Sequence, residues 1–422
     1  MGKPTVGATA IYDTSQTVQI VKDMDMSIPG VLGTSPNKAS GVEYNRCYTV
    51  STADRDLLER FGEGDVLDQI QSIAAGLTED VSATNVTVVI APESENADEA
   101  TKHAETIANL AGSSADGSGA YAFTMAAAHR AKTARIKTIA GLYDADVTNG
   151  ANLIINNLDE VNAFDFGFTF VNGTNTDETD ALAARALYDM VNAHMIETHV
   201  LDVDSSGNPV TRGASGYIAG LQIGVDFKHD GVPSHVAGGR TIRCSGPARE
   251  IAYNDFSDAC EGQRLLAQGL GILTLGNGLD DNATGDGGTM YRGAHSMSND
   301  SQLKFYNKAR MKSYVLLTLA RYYAEHNLIN NTDYAVFKNM ITGAQGWLNE
   351  LADERHIYTA PHIDFIPNSG SVDDWREGVL KLSGGVEFRS PLMRTDQALA
   401  PDIAGIEIEI AQLEAFAKNL TA

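Results

Sequence analysis

The sequence predicts a mixed α/β fold built from more than one domain, and three observations carry that prediction. At 422 residues the chain exceeds what one hydrophobic core usually fills, and about 150 residues per domain points to two or three domains. Hydrophobic residues make up 43% and charged residues 20%, the composition of a folded globular chain and not of a disordered one. Stretches of helical apolar spacing alternate with short β-branched runs, the pattern of helices layered on a sheet.

Residues 1–21 are polar and small until Thr17-Val18-Gln19-Ile20-Val21, whose partial alternation predicts an extended N-terminal arm. The Pro-Gly turn within Ile28-Pro29-Gly30-Val31-Leu32-Gly33 marks where compact folding starts. Over 54–76, Leu57, Leu58, Phe61, Val66, Leu67, Ile70 and Ile73 recur at helical spacing and feed a β-branched run at 86–90 that ends at Pro92. These elements make a first α/β part, 22–95. The alternation repeats over 96–212, a middle α/β domain, with helices at 97–110, 151–161 and 181–195 and strands at 136–142 and 164–171. Asp177, Glu178 and Asp180 favour the start of the third helix. The polar stretch 202–212, with Gly207, Asn208 and Pro209, predicts a crossing point between units.

The remaining residues predict a core domain over 213–390 and a linker with a C-terminal arm over 391–422. Ser215-Gly216-Tyr217-Ile218-Ala219-Gly220 sets small residues around a Tyr and an apolar run, which predicts a close backbone approach feeding a packed segment. Gly269 and Gly271 interrupt the apolar run 265–275 at a turn into a strand, and the Gly- and Asp-rich stretch 276–289 predicts a surface loop. A long helix follows over 303–328. Asp333 opens another, in which Val336, Phe337, Met340, Ile341, Ala344, Trp347, Leu348 and Leu351 form the cleanest apolar stripe in the chain. Strands are expected at 357–366 and 379–388, then a linker over 391–401. Ile406-Glu407-Ile408-Glu409-Ile410 alternates strictly, and 412–420 reads as a short helix. An unpaired edge of alternating isoleucine is an aggregation hazard unless another sheet completes it, so the terminal strands predict polymerisation by strand exchange, weighed against folding back onto their own chain.

The formal charge of -24, from 55 acidic against 31 basic residues, opposes nonspecific attraction to nucleic acid or anionic membrane and points to protein partners. Cys47, Cys244 and Cys260 lie far apart without metal-ligand spacing and read as buried thiols. The N-terminus lacks a basic-then-apolar signal, and no stretch approaches the roughly 18 apolar residues of a membrane span, so the expectation is a soluble chain without a signal peptide or membrane insertion. Asp280, Asn282, Thr284 and Gly285 fit half a calcium loop, but Tyr291 stands where its bidentate Glu belongs. Gly269 and Gly271 begin a dinucleotide fingerprint that fails at Thr274. The ten histidines form no His-Glu-x-x-His pair and read as structural, and the acidic pairs Asp280-Asp281 and Asp373-Asp374 read as solvated surface. No catalytic residue, metal or cofactor is assigned, and an enzyme is disfavoured. Lys304, Lys308, Arg310 and Lys312 crowd positive charge at one helix start, against the helix dipole. Two partners are open to them: carboxylates of an adjacent subunit or tube protein, or Asp300 and other acids of the same chain.

Taken in order, Ile28 to Gly33, Ser215 to Gly220, Leu265 to Leu275, Tyr291 to His295 and the terminal Phe416-Ala417-Lys418-Asn419-Leu420 resemble the sheath proteins of contractile phage tails, in particular those of Mu-like and P2-like myophages. The family's usual Trp-Gly-Asn-Arg-Thr phrase stands here as Tyr291-Arg292-Gly293-Ala294-His295-Ser296, and its Arg-Arg pair as the Lys304 to Lys312 cluster. The resemblance implies a multidomain sheath subunit with an outward-facing middle domain, stacked as six-membered rings around a tail tube. Its arms would add strands to neighbouring subunits, with Val18, Ile20, Ile406, Ile408 and Ile410 at the matching positions. It implies a virion protein, with the tail tube, baseplate and tail terminator proteins as partners beside the chain itself and with no cofactor. The implied action is mechanical: contraction after a baseplate signal drives the tube through the host envelope. Another virion subunit, of tube or capsid, and an α/β enzyme are the competing classes.

Overall fold

The apolar runs of the first half pair into one sheet. The computed structural model describes residues 21–203, 207–276, 288–327, 333–365, 376–395 and 408–413. In it β1 (Pro29–Thr34), β2 (Cys47–Ser51), β3 (Asn85–Ala91), β4 (Ile136–Ile139), β5 (Phe168–Asn172) and β6 (Ala193–Ile196) lie in the order β2-β3-β1-β4-β5-β6. β2 is antiparallel to β3, and every other neighbouring pair is parallel. A largely parallel sheet must be covered on both faces, and the pleat sorts its side chains in turn. Val31 and Val88 face one core while their neighbours Leu32 and Val89 face the other.

Of the helices α1 (Arg55–Glu59), α2 (Asp65–Gly76), α3 (Glu99–Ala111), α4 (Leu153–Asp165), α5 (Glu178–Ala186) and α6 (Ala214–Lys228), α2 and α6 cover the first face and α3 and α4 the second. The small-residue phrase lies in α6, buried from Ala214 through Asp226. A Cβ added at Gly220 would meet the carbonyl oxygen of Ile73, and one at Gly76 would meet that of Tyr217. Two helix backbones touch there, which only glycine permits.

Three expectations need correction. The helix over 54–76 is two helices, because the chain turns at Gly62 with φ 75. Phe164 belongs to α4, which ends in a left-handed Phe166, so β5 starts at Phe168. The helix over 181–195 stops at Ala186, and Ala193–Ile196 is β6, paired with β5 from Thr169 to Asn172. Burial on both faces outweighs local helical period in such a strand. The boundary at 95/96 consequently falls inside one sheet. Within 202–212 the chain forms strand: β7 (Val200–Val203) and β8 (Pro209–Arg212) are an antiparallel pair.

Downstream come β9 (Arg240–Ile242), β10 (Gly246–Pro247), α7 (Glu261–Ala267), β11 (Ile272–Gly276) and β12 (Gly288–Arg292). β10 joins β7, and β11-β12-β9 form a second small sheet, tied to the main one by a parallel bridge between Ile196 and Gly271. The chain then builds α8 (Tyr306–Ala324) and α9 (Tyr334–Asp353), the latter capped by Asp333, whose carboxylate accepts from Ala335 N at 2.6 Å. The α9 stripe packs with Met311, Tyr314 and Val315 of α8 in a core of its own. β13 (His362–Phe365) and β14 (Leu382–Gly385) form a two-stranded antiparallel sheet.

The chain divides into two compact units, Met1–Ser390 and Pro391–Ala422. In the second, residues 408–413 are helical, with Ile408, Ile410 and Leu413 exposed. The strand expected over 406–410 is therefore not formed in its described part. A strand without a neighbour leaves its N–H and C=O groups unpaired, whereas a helical turn pairs them within the segment. Val18, Ile20 and Ile406 lie outside the described residues, as do the calcium-like stretch at 280–285 and the pair at 373–374.

Candidate assembly site

The first half of α8 holds the chain just after the N-terminal segment and just before the linker. On the incoming side, Asp23 accepts from the Tyr314 hydroxyl at 2.7 Å and from Trp347 Nε1 at 2.8 Å. Burial, and the bond to Asp23, push the Tyr314 hydroxyl far above its ordinary range. Arg310, 1% exposed, forks onto Asp226 at 3.0 and 2.6 Å and donates a further bond to the Met26 carbonyl at 3.1 Å. Asp226, itself 0% exposed, also accepts from Gln222 Nε2 at 2.7 Å and Ser27 Oγ at 3.0 Å. Such extra bonds help to hold a buried guanidinium-carboxylate pair, although Arg310 Nε itself has no hydrogen-bond partner.

On the outgoing side, Asn307 Nδ2 donates to the Arg389 carbonyl at 2.9 Å and Lys308 pairs with Glu387 at 3.0 Å. Arg389 Nε donates to the Ile357 carbonyl at 3.0 Å, and Phe388 bridges to Ile357. Asn307, Lys308, Arg310 and Tyr314 thus lie on two turns of one helix and grip both stretches.

Arg310 and Lys308 pair with acids of their own chain, Asp226 and Glu387, and not with Asp300. Lys312 is half-buried and is the cation that lowers the raised pKa of Asp159 on α4, whose main cause is burial. Lys304 alone of the four is exposed. Sequence reasoning missed Asp23, Asp226 and Glu387, because each stands tens to hundreds of positions from its partner.

Two further acids are raised to near neutrality. Burial raises Asp144 to about 7, although it accepts from Asn172 N at 2.7 Å, and raises Glu197 to about 7, against Arg249 and a bond from Thr174 N at 3.1 Å. Both follow strands of the main sheet and tie loops together through these bonds. His194 is equally internal: burial lowers it to about 3, and its ring nitrogens meet the His295 carbonyl and, at 2.6 Å, the Tyr291 hydroxyl. Among the described residues, no group of three or more His, Cys, Asp or Glu has a metal-binding arrangement, and no helix is long and apolar enough to cross a membrane. Cys47 is buried, while Cys244 and Cys260 are half-buried.

Neither a family model nor a curated protein sequence matches the chain. Solved structures do. A chain of an extracellular contractile injection system, the PVC sheath complex in its contracted state, superposes with a TM-score of 0.66 at 11% identity, over 96% of this chain and 100% of that one. A chain of the anti-feeding prophage baseplate in its contracted state gives 0.66 at 14% identity, with 96% and 100% covered. The helical sheath of the same prophage, contracted, gives 0.60 at 12% identity, with 94% and 100% covered. The chain shares its fold with these solved structures over 94–96% of its length.

Proposed function

We propose that this chain is the subunit of a contractile sheath, polymerising around a tail tube and shortening to drive that tube through an envelope. The observation that carries the reading is the likeness to a contracted sheath subunit over 96% of this chain and all of the other. An isolated catalytic domain has no reason to match such a subunit over its full length, and the order of sequence phrases supports the same family independently.

In this reading the subunits stack as six-membered rings in a phage tail or a tail-derived injection device, with the baseplate, tube and terminator proteins as partners. The terminal segments, with Val18, Ile20, Ile406, Ile408 and Ile410, add strands to neighbouring copies. The two-stranded sheet β13-β14 supports this, since two strands alone are marginal in water and its outer edges are unpaired among the described residues. The helical state of 408–413 in the single chain then converts to strand on docking. Helix α8, gripping both roots, carries load between the arms and the body while subunits repack.

Negative-stain microscopy of the purified full chain tests this. Long striated hollow cylinders are expected, and truncation after Pro401 should abolish them. Monomers or closed shells from the full chain would sink the sheath reading. Normal cylinders from the truncated chain would sink strand exchange alone.

A further inference from the structure

Lys137 of β4 crosses the second face of the main sheet toward the last turn of α4, and its amine end is sealed from water. Lys137 is 0% exposed, Asn162 1% and Asp165 6%. Nζ lies 2.9 Å from Asn162 Oδ1 and 2.9 Å from Asp165 Oδ1, with the Ala134 carbonyl at 3.2 Å. Gly167 makes this meeting possible, since an added Cβ there would collide with Nζ and with both of those side-chain oxygens. The surroundings are apolar: the centroid of the Phe123 ring is 5.7 Å from Nζ, and Leu32, Ala134 and Val161 belong to the same core.

An ion pair would need only Asp165, and the amide brings an electrophile. Asn162 Nδ2 donates to Thr169 Oγ1 at 2.8 Å and to the Asn192 carbonyl at 3.2 Å, which turns Oδ1, one bond from the electrophilic Cγ, toward the amine. Asp165 Oδ1 also accepts from Gly167 N at 3.0 Å. Its Oδ2, 2.9 Å from Nζ, is buried with no hydrogen-bond partner, which leaves it open to a proton. Burial pushes the Lys137 ammonium below its ordinary range against the pull of Asp165, and Arg135 adds to the lowering. A desolvated lysine that gives up its proton is a nucleophile. Well-oriented neighbours react as though present at about 10⁵–10⁸ M, which offsets the low reactivity of an amide.

We propose that Lys137 and Asn162 join in an intramolecular isopeptide bond, with Asp165 as the acid-base residue that makes it. Lys137 passes a proton to Asp165 Oδ2, and the freed lone pair on Nζ attacks Asn162 Cγ. Asp165 gives its proton to Nδ2 as the Cγ–Nδ2 bond breaks and takes up another from Nζ. The Nζ–Cγ bond forms, one ammonia leaves, and nothing is oxidised or reduced. The product ties β4 to α4 covalently, fixing a helix of the second face to the sheet it covers. The bond stands whether or not the chain polymerises.

Intact-mass spectrometry of the purified full chain, joined to tryptic mapping after denaturation, tests the bond. The expected mass is lower than the sequence requires by one ammonia. Trypsin should no longer cleave after Lys137, so that one internally linked peptide runs from Ile136 to Arg185. Asp165→Asn should restore both the full mass and the cleavage, and a variant linked like wild type would overturn the part given to Asp165. The wild-type measurement decides the bond itself even where that variant fails to fold. Loss of one water in place of ammonia, with cleavage still blocked, would make Asp165 the electrophile and overturn the part given to Asn162. A succinimide at an Asn-Gly step also releases ammonia but leaves Lys137 cleavable. Cleavage after Lys137 in the wild type, at either mass, overturns the proposal and leaves a buried ion pair.

Discussion

Replacing Arg310 with Met should destabilise the larger unit by about 3–5 kcal/mol, because one partner of a fully buried ion pair disappears while the other stays. Arg310 gives two bonds to Asp226 and one to the Met26 carbonyl, and all three vanish. The Asp226 carboxylate would remain buried with only Gln222 Nε2 and Ser27 Oγ to meet it. Against a usual total of about 5–15 kcal/mol, that is a large fraction. Met fills much of the same volume, so the loss comes from charge and not from a cavity. Guanidinium unfolding followed by fluorescence of Trp347, which bonds Asp23 beside the same helix, reads the effect, and hydrogen exchange over 21–28 reports whether the incoming root loosens. The double variant Arg310→Met, Asp226→Asn completes a cycle. A coupling of about 2–3 kcal/mol is expected, with the double variant more stable than the sum of the singles. A single variant within about 1 kcal/mol of wild type, or singles that simply add, would refute the view that this pair is the hub of α8.

Two further outcomes follow from the same structure. Gly220→Ala places a Cβ against the Ile73 carbonyl oxygen and should cost about 1–3 kcal/mol in the same unfolding assay, while Gly346→Ala, exposed on α9 where an added Cβ meets nothing, should not destabilise. Stability should also respond to pH through two groups of opposite sign. Burial raises Glu197 to about 7 from its ordinary 4.5, so its contribution is full below the lower value and is lost as pH rises through the upper. Glu197→Gln should therefore gain on wild type between those limits and run parallel above them. His235, lowered to about 4 from 6.5 chiefly by burial, contributes above pH 6.5 and loses that contribution as pH falls through 4. Its ring stacks on His229 at 3.6 Å, Ser234 Oγ links it to His356 at 2.9 and 2.8 Å, and Arg240, Asp226, Asp230, Asp23 and Glu354 are the charged groups around the trio. His235→Gln should blunt the acid-side loss; an unchanged profile counts against the cluster as its source.

The arrangement also explains which parts of the site could be read in advance. The α9 stripe, the run that became β3 and the Asp177 and Asp333 caps were legible because each rests on neighbours within one or two turns. The small-residue phrase was legible as a close approach, though only the fold names its partner, α2. β6 was not legible: its four residues read on as helix, and their strand state comes from lying beside β5 and from burial. The charge cluster was visible and its pairing was not, since Asp226 and Glu387 stand 84 and 79 positions from Arg310 and Lys308.

The sequence by itself determined the periods, the caps, the acidic balance and the small residues that let two helices touch, because these depend on side-chain size and spacing along the chain. Only the tertiary structure decided that strands of 22–95 and 96–212 share one sheet and that Lys308 and Arg310 of α8 pair with Glu387 and Asp226. Strand order and charge pairing are long-range choices among many partners of equal local merit, and packing in three dimensions makes them.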